Sequence, residues 1–542
     1  MKILVLGGVA AGTKVAAKLM REDRSNEVTI LNKGKNISYA GCGLPYYVGH
    51  VIEEKEQLIV NTPAKYAKLT GVNVLTETEA VKVDPEAKKV TAIDLNTQEE
   101  KVYDYDKLVI AVGASPVKPP IEGCDLENVF CMRTPEDAIR LREVIDGGNI
   151  KKAVVVGAGY IGLEIAENLK AMGIRPFVLD MAPQVLAPGF DQEMADYVEN
   201  KLIESGIPVV TGVTVTGIEG DGKVQKVTTS KKAYKTDLVV LSAGIRPNTA
   251  FLNDTGLEMV KGTILTNAFG ETNLPDVYAV GDCAMVHNAM TGKPAWSPMG
   301  STANIAGRVV AQNMLGAGMN YKGTLGTAVC KLPGINVGRT GLTEAQAKAE
   351  GFDPVSVITV VDDKAHYYAG ASSFIIKMIA DKATEKLLGV QVIGSGAVDK
   401  VVDIAVTGIM LKGTLTDLSD MDLAYAPPFS TAIHPFAHTL NVLKNKISGV
   451  LETFTPAEYA AGEAKDYRVI DTSLQPSIEG ATYVEMTDVT GPIDGIDLDE
   501  KVLLVCNKGK RAYLLQNRMK YYGYTNTKVL EGGIAFTDVE VE

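Results

Sequence analysis

Cys42 is the centre of a segment, residues 38–49, whose residue types suit redox chemistry. The segment reads Ser-Tyr-Ala-Gly-Cys-Gly-Leu-Pro-Tyr-Tyr-Val-Gly. Glycines on both sides of Cys42 allow the backbone to approach a ligand closely, and Pro45 suits the first turn of a helix running toward Ile52. A helix start stabilises a thiolate, which is the reactive form of cysteine. The segment therefore predicts a reactive thiol, with a small buried cysteine as the common alternative.

Cys506 is a second candidate for sulfur chemistry. It follows a predicted strand over 502–505, and the loop after it leads into a predicted helix over 512–522. Successive amides of such a loop form an anion-binding nest, which Lys508, Lys510 and Arg511 would reinforce. A persulfide anion suits that electrostatic field. We therefore predict that Cys506 carries or accepts sulfur.

Length, net charge and cysteine content narrow the functional classes to which this protein can belong. The 542 residues predict three or four domains, and the net charge of -12 disfavours nucleic acid and anionic membranes as partners. The six cysteines form neither a disulfide scaffold nor the C-x2-C pairs of a zinc site, so no metal is expected. Without an apolar leader or bilayer-length run, we expect a soluble cytoplasmic protein that binds small molecules or proteins.

A strand over 2–6, a glycine turn over 7–12 and a helix over 13–24 form the first candidate dinucleotide site. This order places backbone amides and the positive end of a helix where a pyrophosphate can bind. Val9 occupies the middle glycine position of G-x-G-x-x-G, and Asn32 stands where an acid would follow the second strand, 28–31. An asparagine can still bond a ribose hydroxyl.

A second copy of this pattern runs from a strand over 153–156 through Gly157, Gly159 and Gly162 into a helix ending near Met172. The next strand, 176–179, is followed by Asp180. An acid at that position accepts hydrogen bonds from the ribose hydroxyls of an adenosine and repels a 2'-phosphate. The pattern predicts an NADH site, against the alternative of a strand-turn-helix without a ligand.

Three further strands break at a glycine, in residues 108–114, 241–246 and 274–282. Such breaks are typical of a chain that crosses between two nucleotide-binding domains. The third strand ends in Gly281-Asp282, which can present a carboxylate to the hydroxyls of a ribityl chain.

Two nucleotide-binding domains, the second inserted into the first, resemble the FAD- and NAD(P)-dependent pyridine nucleotide-disulfide oxidoreductases over residues 1–445. The resemblance implies that FAD is held by Gly7, Gly8, Ala11, Gly12, Asn32, Lys33, Ala111, Gly113, Gly281 and Asp282. It implies that NADH is held by Gly157, Gly159, Tyr160, Gly162, Asp180 and Gly244, with Tyr160 as a gate over the flavin.

Because Cys42 has no near partner cysteine, its segment resembles the coenzyme A-disulfide reductase group, whose relatives are NADH oxidases and peroxidases. Lys14, Lys18 and Arg21 share one face of the first helix and could meet the phosphates of coenzyme A, with a solvated charged face as the alternative. Ser38 completes the predicted coenzyme A site.

Residues 323–446 resemble the dimerisation domain of this family, which implies a homodimer. The family places two tyrosines beside the redox cysteine of the partner, and here Tyr425 and either Tyr367 or Tyr368 match them. A phenol can donate a hydrogen bond to a leaving sulfur, whereas interface packing is the alternative. His434-Pro435 is similar to the His-Pro of two-cysteine reductases, which makes His434 a candidate proton donor or a structural residue.

The tail, residues 455–542, resembles rhodanese domains. The resemblance rests on Cys506-x-x-Gly-x-Arg511 and on the closing Leu-Glu-Gly-Gly533, and it implies sulfur transfer at Cys506 with Arg511 in the active loop. Asp471-Thr472-Ser473 departs from the usual Asp-Val-Arg. The alternatives are a domain kept only for binding, or a sulfur carrier that passes sulfur to an acceptor protein.

The sequence predicts an α/β protein with two Rossmann-like nucleotide-binding domains, an α+β dimerisation domain and a rhodanese-like α/β domain. The predicted boundaries are 1–150 with 246–322 for FAD, 151–245 for NADH, 323–446 for dimerisation and 455–542 for the tail. The predicted function is reduction of a persulfide, polysulfide or coenzyme A disulfide by NADH. A coenzyme A-disulfide reductase or NADH oxidase with an inert tail is the alternative.

Overall fold

The structure is a computed structural model that describes residues 1–541, and these form two compact units. Unit 1 comprises residues 1–183 and 206–324, and unit 2 comprises residues 184–205 and those from 325 onward. No helix among residues 1–541 has both the length and the apolar character needed to cross a bilayer.

The helices and strands of unit 1 follow the predicted order. Its N-terminal part contains β1 (Lys2–Leu6), α1 (Ala11–Glu22), β2 (Glu27–Asn32), α2 (Leu44–Val48), α3 (Pro63–Thr70), β3 (Asn73–Thr76), β4 (Thr78–Asp84), β5 (Lys89–Asp94), β6 (Glu100–Asp104), β7 (Lys107–Ile110), β8 (Ala114–Pro116), β9 (Val129–Cys131) and α4 (Pro135–Asp146).

The middle of the chain contains β10 (Lys152–Val156), α5 (Tyr160–Ala171), β11 (Arg175–Leu179), α6 (Gln192–Glu204, in unit 2), β12 (Val209–Val210), β13 (Val215–Asp221), β14 (Lys223–Thr229), β15 (Ala233–Lys235) and β16 (Leu238–Leu241). Unit 1 then closes with β17 (Ile245–Pro247), β18 (Met259–Val260), β19 (Thr263–Ile264), β20 (Val277–Ala279), β21 (Val286–His287), β22 (Pro294–Ala295) and α7 (Gly300–Met314).

Two parallel five-stranded sheets form the two halves of unit 1. Their strand orders are β20-β7-β1-β2-β3 and β12-β11-β10-β16-β9. The central strands β1, β7, β10 and β16 are buried apolar runs, as expected where helices or other layers cover both faces of a sheet. Strand β20, far along the chain, completes the first sheet beside β7. The predicted pair of Rossmann-like domains is confirmed.

Unit 2 combines an antiparallel and a parallel sheet. Its elements are β23 (Ala328–Leu332), β24 (Ile335–Gly341), α8 (Glu344–Ala349), β25 (Pro354–Asp362), β26 (Ser373–Asp381), β27 (Leu387–Gly394), α9 (Val398–Met410), α10 (Leu415–Ser419), α11 (Pro435–Ile447), β28 (Thr453–Phe454), α12 (Pro456–Ala460), β29 (Arg468–Asp471), β30 (Thr482–Tyr483), β31 (Val502–Val505), α13 (Lys510–Tyr521) and β32 (Thr527–Leu530).

The antiparallel sheet has the order β23-β24-β27-β26-β25, and the parallel sheet of the tail has the order β28-β32-β31-β29-β30. Strands β26 and β27 are almost entirely buried, which explains their nearly continuous apolar sequence. The α+β and the second α/β part of the predicted fold are therefore confirmed.

Three helix boundaries differ from the sequence prediction. Helix α1 begins at Ala11 rather than Thr13, because the backbone is already helical at Ala10. Helix α13 begins at Lys510, directly after Gly509, which has a φ of 84°. Helix α2 stops at Val48 instead of continuing to Ile52, and the following Gly49 packs against the side chain of Asn168 where no Cβ would fit.

A buried lysine ties helix α6 to the antiparallel sheet of unit 2. Lys377 on β26 is 2% exposed, and its ammonium lies 3.2 Å from Asp191 and 3.1 Å from Glu344 and also bonds Glu193. Burial alone would lower the pKa of Lys377, but these carboxylates raise it above its ordinary value. In turn, Lys377 overcomes the effect of burial on Glu344 and lowers the pKa of that carboxyl to about 2.

Replacement of Lys377 by methionine should destabilise unit 2 by about 3–5 kcal/mol, because three carboxylates would lose their buried counter-ion. Differential scanning calorimetry measures the effect. In the parent protein, the Glu344 carboxylate stabilises the folded state above pH 4.5, and this stabilisation is lost as the pH falls toward 2. Lys348→Met, which removes an exposed partner of Glu344, is the control and should cost less than about 1 kcal/mol. Equal losses for the two variants would contradict the assignment.

Candidate active site

Cys42 lies in a tight turn that precedes a short helix. Residues Gly41–Gly43 form one 3₁₀ turn, and α2 follows immediately. The thiol is exposed. A Cβ at Gly43 would lie 3.1 Å from the side chain of Ile52 and 3.3 Å from that of Ala40, so a larger residue would disturb the turn. The predicted position of Cys42 ahead of a helix is therefore correct.

The charges around Cys42 oppose the predicted stabilisation of its thiolate. The surrounding protein partly desolvates the thiol, which raises the pKa of Cys42, and the carboxylates of Glu164 and Asp282 raise it further. Only Arg133 acts in the opposite direction. The helix α2 has only five residues, so it offers little dipole against desolvation and the two carboxylates.

Glu164 is a site residue that the sequence reasoning missed. The hydroxyl of Tyr46, one helical turn after Cys42, donates to the Glu164 carboxylate at 3.0 Å. Burial raises the pKa of Glu164, with Glu167 adding to this and the Tyr46 bond opposing it. An acid one turn after Tyr160, between apolar Leu163 and Ile165, is the available signal in the sequence. The pair joins the Cys42 segment to the helix of the second glycine loop.

The first glycine loop brings strand, turn and helix into backbone contact. A Cβ at Gly7 would lie 2.2 Å from the oxygen of Ala111, and one at Gly12 would lie 1.9 Å from the oxygen of Gly7. Helix α1 has no side-chain cap, so its first amides are open to an anion, as a pyrophosphate site requires. A Cβ at Gly8 would also be crowded, since it would lie 2.9 Å from the side chain of Ile37.

The side chain of Asn32 stabilises this loop through hydrogen bonds to backbone groups. Its Oδ1 accepts from the amide of Gly8 at 2.9 Å, and its Nδ2 donates to the oxygens of Gly34 and Asn36. Lys33 pairs with Glu79 at 2.7 Å. Ser38 has a φ of 47°, and its amide donates to the oxygen of Gly8. Asn32 and Ser38 thus lie at the first loop, and Lys33 follows β2.

The second glycine loop repeats this construction. A Cβ at Gly162 would lie 2.0 Å from the oxygen of Gly157, whereas a Cβ at Gly159 would meet no atom within 4 Å. Open space above an uncapped helix start fits a pyrophosphate. Asp180 accepts from the amides of Ala158 at 2.6 Å and Ala182 at 2.8 Å, and the half-buried Tyr160 begins the helix.

The returning strand β20 places Gly281 and Asp282 beside the first loop. A Cβ at Gly281 would lie 3.0 Å from the Cβ of Ala11, and Asp282 accepts from Arg133 at 3.0 Å. Gly113 has a φ of 66°, and a Cβ there would lie 3.3 Å from Arg133. Unit 1 thus brings together most of the predicted FAD residues. Gly244, with a φ of 100° and open space around it, lies between β16 of the second sheet and β17.

The predicted coenzyme A face is only partly free. Lys18 pairs with Glu22, and Lys14 lies half-buried, with its side chain 3.3 Å from where a Cβ of Gly307 would be. Arg21 is exposed and makes no ion pair within the described part of the chain. Arg21 and Lys14 therefore retain charge for an anion.

In unit 2, Tyr367 and Tyr425 lie together. Tyr425 lies close enough to Tyr367 to raise the pKa of the Tyr367 hydroxyl. Both rings are largely exposed, as is the ring of Tyr368. The contact with Tyr425 favours Tyr367 over Tyr368 as the second tyrosine of the predicted pair.

His434 caps a helix. Its Nδ1 accepts from the amide of Phe436, and the ring is 5% exposed. Burial, with a smaller effect from Lys400, lowers the pKa of His434 to about 4. An imidazole that is neutral near pH 7 and caps a helix through Nδ1 is a poor proton donor, so the structure favours the structural role.

Cys506 lies at the end of β31, 2% exposed, and its Sγ accepts from the amide of Ala512 at 3.4 Å. Two of the three cationic side chains of its loop, Lys508 and Arg511, bind carboxylates instead of reinforcing an anion nest as predicted. Arg511 bonds both oxygens of Glu485, at 2.7 and 2.8 Å, and the oxygen of Thr472. A hydrogen bond from the amide of Thr487, followed in effect by the bond from Arg511, lowers the pKa of the Glu485 carboxyl to about 2.

Family comparison agrees with this arrangement. Residues 1–305 match the pyridine nucleotide-disulphide oxidoreductase family, residues 327–437 its dimerisation domain, and residues 440–535 the rhodanese-like domain. The chain belongs to the pyridine nucleotide-disulphide oxidoreductases. This oxidoreductase depends on FAD and a nicotinamide nucleotide. The predicted family and rhodanese tail are confirmed.

Three known proteins illustrate the similarity. The oxidoreductase is 34% identical to an NADH oxidase of Methanocaldococcus jannaschii, over 83% of this chain and 100% of that protein. It is 35% identical to an NAD(P)H coenzyme A polysulfide/persulfide reductase of Pyrococcus horikoshii, over 82% and 98%. The solved structure of an NAD-dependent persulfide reductase from A. fulgidus has a TM-score of 0.93 at 35% identity, covering 99% of this chain and 100% of that one.

Replacement of Glu164 by glutamine should lower the pKa of Cys42, because it removes a carboxylate that disfavours the thiolate. Iodoacetamide should then alkylate Cys42 faster at neutral pH, by about 3- to 10-fold. The measurement is the alkylation rate of the FAD-loaded oxidised enzyme between pH 6 and 9. Glu167→Gln, on the same helix, is the control. An unshifted profile in the Glu164 variant would contradict the electrostatic assignment.

Proposed function

We propose that this protein reduces sulfane sulfur or coenzyme A disulfide with NADH in the cytoplasm, through Cys42 as the only redox cysteine of the reductase core. The observation that carries the proposal is the combination, in one chain, of an exposed Cys42 with no cysteine beside it in its loop and a rhodanese-like loop that presents Cys506. The substrates would be persulfides, polysulfides or coenzyme A disulfide. The names of the relatives support this class of substrate.

The two glycine loops fit the two cofactors. The loop of Gly7, Gly8 and Gly12, with Asn32 and Asp282, would hold FAD, and the loop of Gly157, Gly159 and Gly162, with Asp180, would hold NADH. When bound, FAD passes two electrons from NADH to the sulfur side of the site. Asp180 would exclude a 2'-phosphate, which favours NADH over NADPH.

Cys42 would carry the covalent step. Its thiolate attacks one sulfur of the substrate R-S-S-R', forming Cys42-S-S-R and releasing R'-S⁻, which takes up a proton. Two-electron reduction of the mixed disulfide returns the Cys42 thiolate and releases R-S⁻. Per cycle, NADH, one proton and one disulfide become NAD⁺ and two thiols; with a persulfide, one product is sulfide. Because the neighbouring carboxylates disfavour the thiolate, the first step should accelerate as the pH rises.

Unit 2 would contribute to this chemistry in two ways. In a homodimer formed through the dimerisation domain, the Tyr367–Tyr425 pair would donate a proton to the leaving sulfur at the Cys42 of a second copy. Cys506 would carry sulfane sulfur to or from the substrate, with Arg511 holding the loop. His434 would serve the helix start of α11 rather than proton transfer.

Coenzyme A would bind through its phosphates at the first helix. Lys14 and Arg21 retain charge there, whereas Glu22 neutralises Lys18, and Ser38 adds a hydroxyl at the edge of the loop. An NADH oxidase or a plain coenzyme A-disulfide reductase with an inert tail is the second candidate, and the similarity to an NADH oxidase favours it. Transfer of sulfur from Cys506 to an acceptor protein would be a further use of the tail.

An anaerobic assay of NADH oxidation with coenzyme A persulfide, polysulfide or coenzyme A disulfide tests the proposal, with sulfide measured in parallel. Cys42→Ser should lower every rate by about 100-fold or more, because the covalent step is lost. Cys506→Ser should lower the persulfide rate about 10-fold and affect the disulfide rate far less.

Cys131→Ser, a half-buried cysteine outside the proposed site, is the control and should keep full activity. Turnover with oxygen that exceeds turnover with every sulfur compound would favour the oxidase. A Cys506 variant with an unchanged persulfide rate would leave the tail without a catalytic part.

A further inference from the structure

The ammonium of Lys508 binds groups outside the loop of Cys506. It lies two residues after Cys506, and its ammonium bonds the carboxylate of Asp362 at 2.6 Å and the hydroxyl of Ser373 at 2.8 Å. Asp362 is the last residue of β25, Ser373 is the first of β26, and the two are direct cross-strand partners. Lys508 therefore bridges the two strands where their pairing ends.

The segment between these two strands, residues 363–372, carries Tyr367 and Tyr368, and we call it the tyrosine loop. Its neck is closed by a bond from the amide of Asp363 to the oxygen of Ser372 at 2.8 Å, and by one from the amide of Ser372 to Asp363 Oδ1 at 2.7 Å. Farther out, Tyr367 is 67% exposed and lies beside Tyr425. Contacts at the neck therefore hold the two ends of the tyrosine loop.

The loop of Cys506 is itself fixed to the same strand. Glu531, which is 3% exposed, accepts from the amide of Ile358 in β25 at 2.8 Å and from Lys446 and Thr453, both at 2.6 Å. The turn after Glu531 donates back to the Cys506 loop, from Ile534 to the oxygen of Cys506 at 3.2 Å and from Ala535 to that of Asn507 at 2.9 Å. The Cys506 loop is thus a rigid base from which Lys508 reaches the neck.

We propose that Lys508 is a positioning residue that fastens the tyrosine loop to the rhodanese-like domain, so that this domain orders a loop of the reductase. The inference rests on the proposed role of Tyr367 and Tyr425 in proton donation, and it gives the tail a second use that does not involve the thiol of Cys506. The alternative role, reinforcement of an anion at Cys506, is disfavoured because Asp362 already neutralises the ammonium.

Lys508→Met tests the inference, since it keeps most of the aliphatic stem and removes the charge. Hydrogen–deuterium exchange of the FAD-loaded enzyme should become faster in peptides covering residues 363–372. With coenzyme A disulfide, which brings no sulfane sulfur to Cys506, kcat should fall about fivefold at an unchanged KM for NADH, because misplaced tyrosines protonate the leaving sulfur poorly.

Lys508→Arg should restore both the exchange rate and kcat, because a guanidinium can bond the same carboxylate and hydroxyl. Lys465→Met, an exposed lysine of the same domain without an ion pair in the described part of the chain, should change neither measurement. Unchanged exchange in residues 363–372, or an unchanged kcat, would overturn the inference. If the parent enzyme reduced neither coenzyme A disulfide nor a persulfide or polysulfide, the proposed function would fail, and the exchange measurement would still decide the contact.

Discussion

The close contact of backbone with backbone at each glycine loop is the constraint on which the nucleotide-binding half of the protein depends. At Gly12 and at Gly162 a single added carbon would lie about 2 Å from the oxygen of the glycine five residues earlier. A larger side chain would separate the helix from its strand and turn the first amides away from a pyrophosphate. Both loops have this same glycine contact although 150 residues separate them. The strands beside them need only apolar side chains.

Because that constraint acts between residues close in the chain, the sequence could predict much of the fold. The glycines, the apolar strands beside them and the acid at Asp180 all lie within about 25 residues of each other, where strand-turn-helix order dictates their proximity. The same holds for the position of Cys42 ahead of a helix. Helix ends were predicted less well, since the backbone at Ala10 and at Lys510 is helical before any apolar periodicity begins.

The electrostatic state of the site could not be predicted in this way, because it depends on groups far apart in the sequence. Glu164 lies 118 residues after Tyr46, and Lys508 lies 146 residues after Asp362. The glycine and helix pattern around Cys42 indicated a stabilised thiolate, but desolvation of the thiol, followed by two distant carboxylates, raises the pKa of Cys42 instead. Likewise, the cations after Cys506 indicated an anion nest, and two of them instead pair with Asp362 and Glu485.

The contacts of Glu531 limit how the rhodanese-like domain can move within unit 2. Rocking the rhodanese-like domain off β25 would break the bonds of Glu531 to Ile358 and Lys446 together and would leave a carboxylate, now 3% exposed, without its counter-ion. Such a motion is costly compared with the movement of a small flexible molecule. Under the proposed function, sulfur carried by Cys506 would therefore travel on a diffusible carrier such as a low-molecular-weight thiol, and the fixed domain could at the same time keep the tyrosine loop in place.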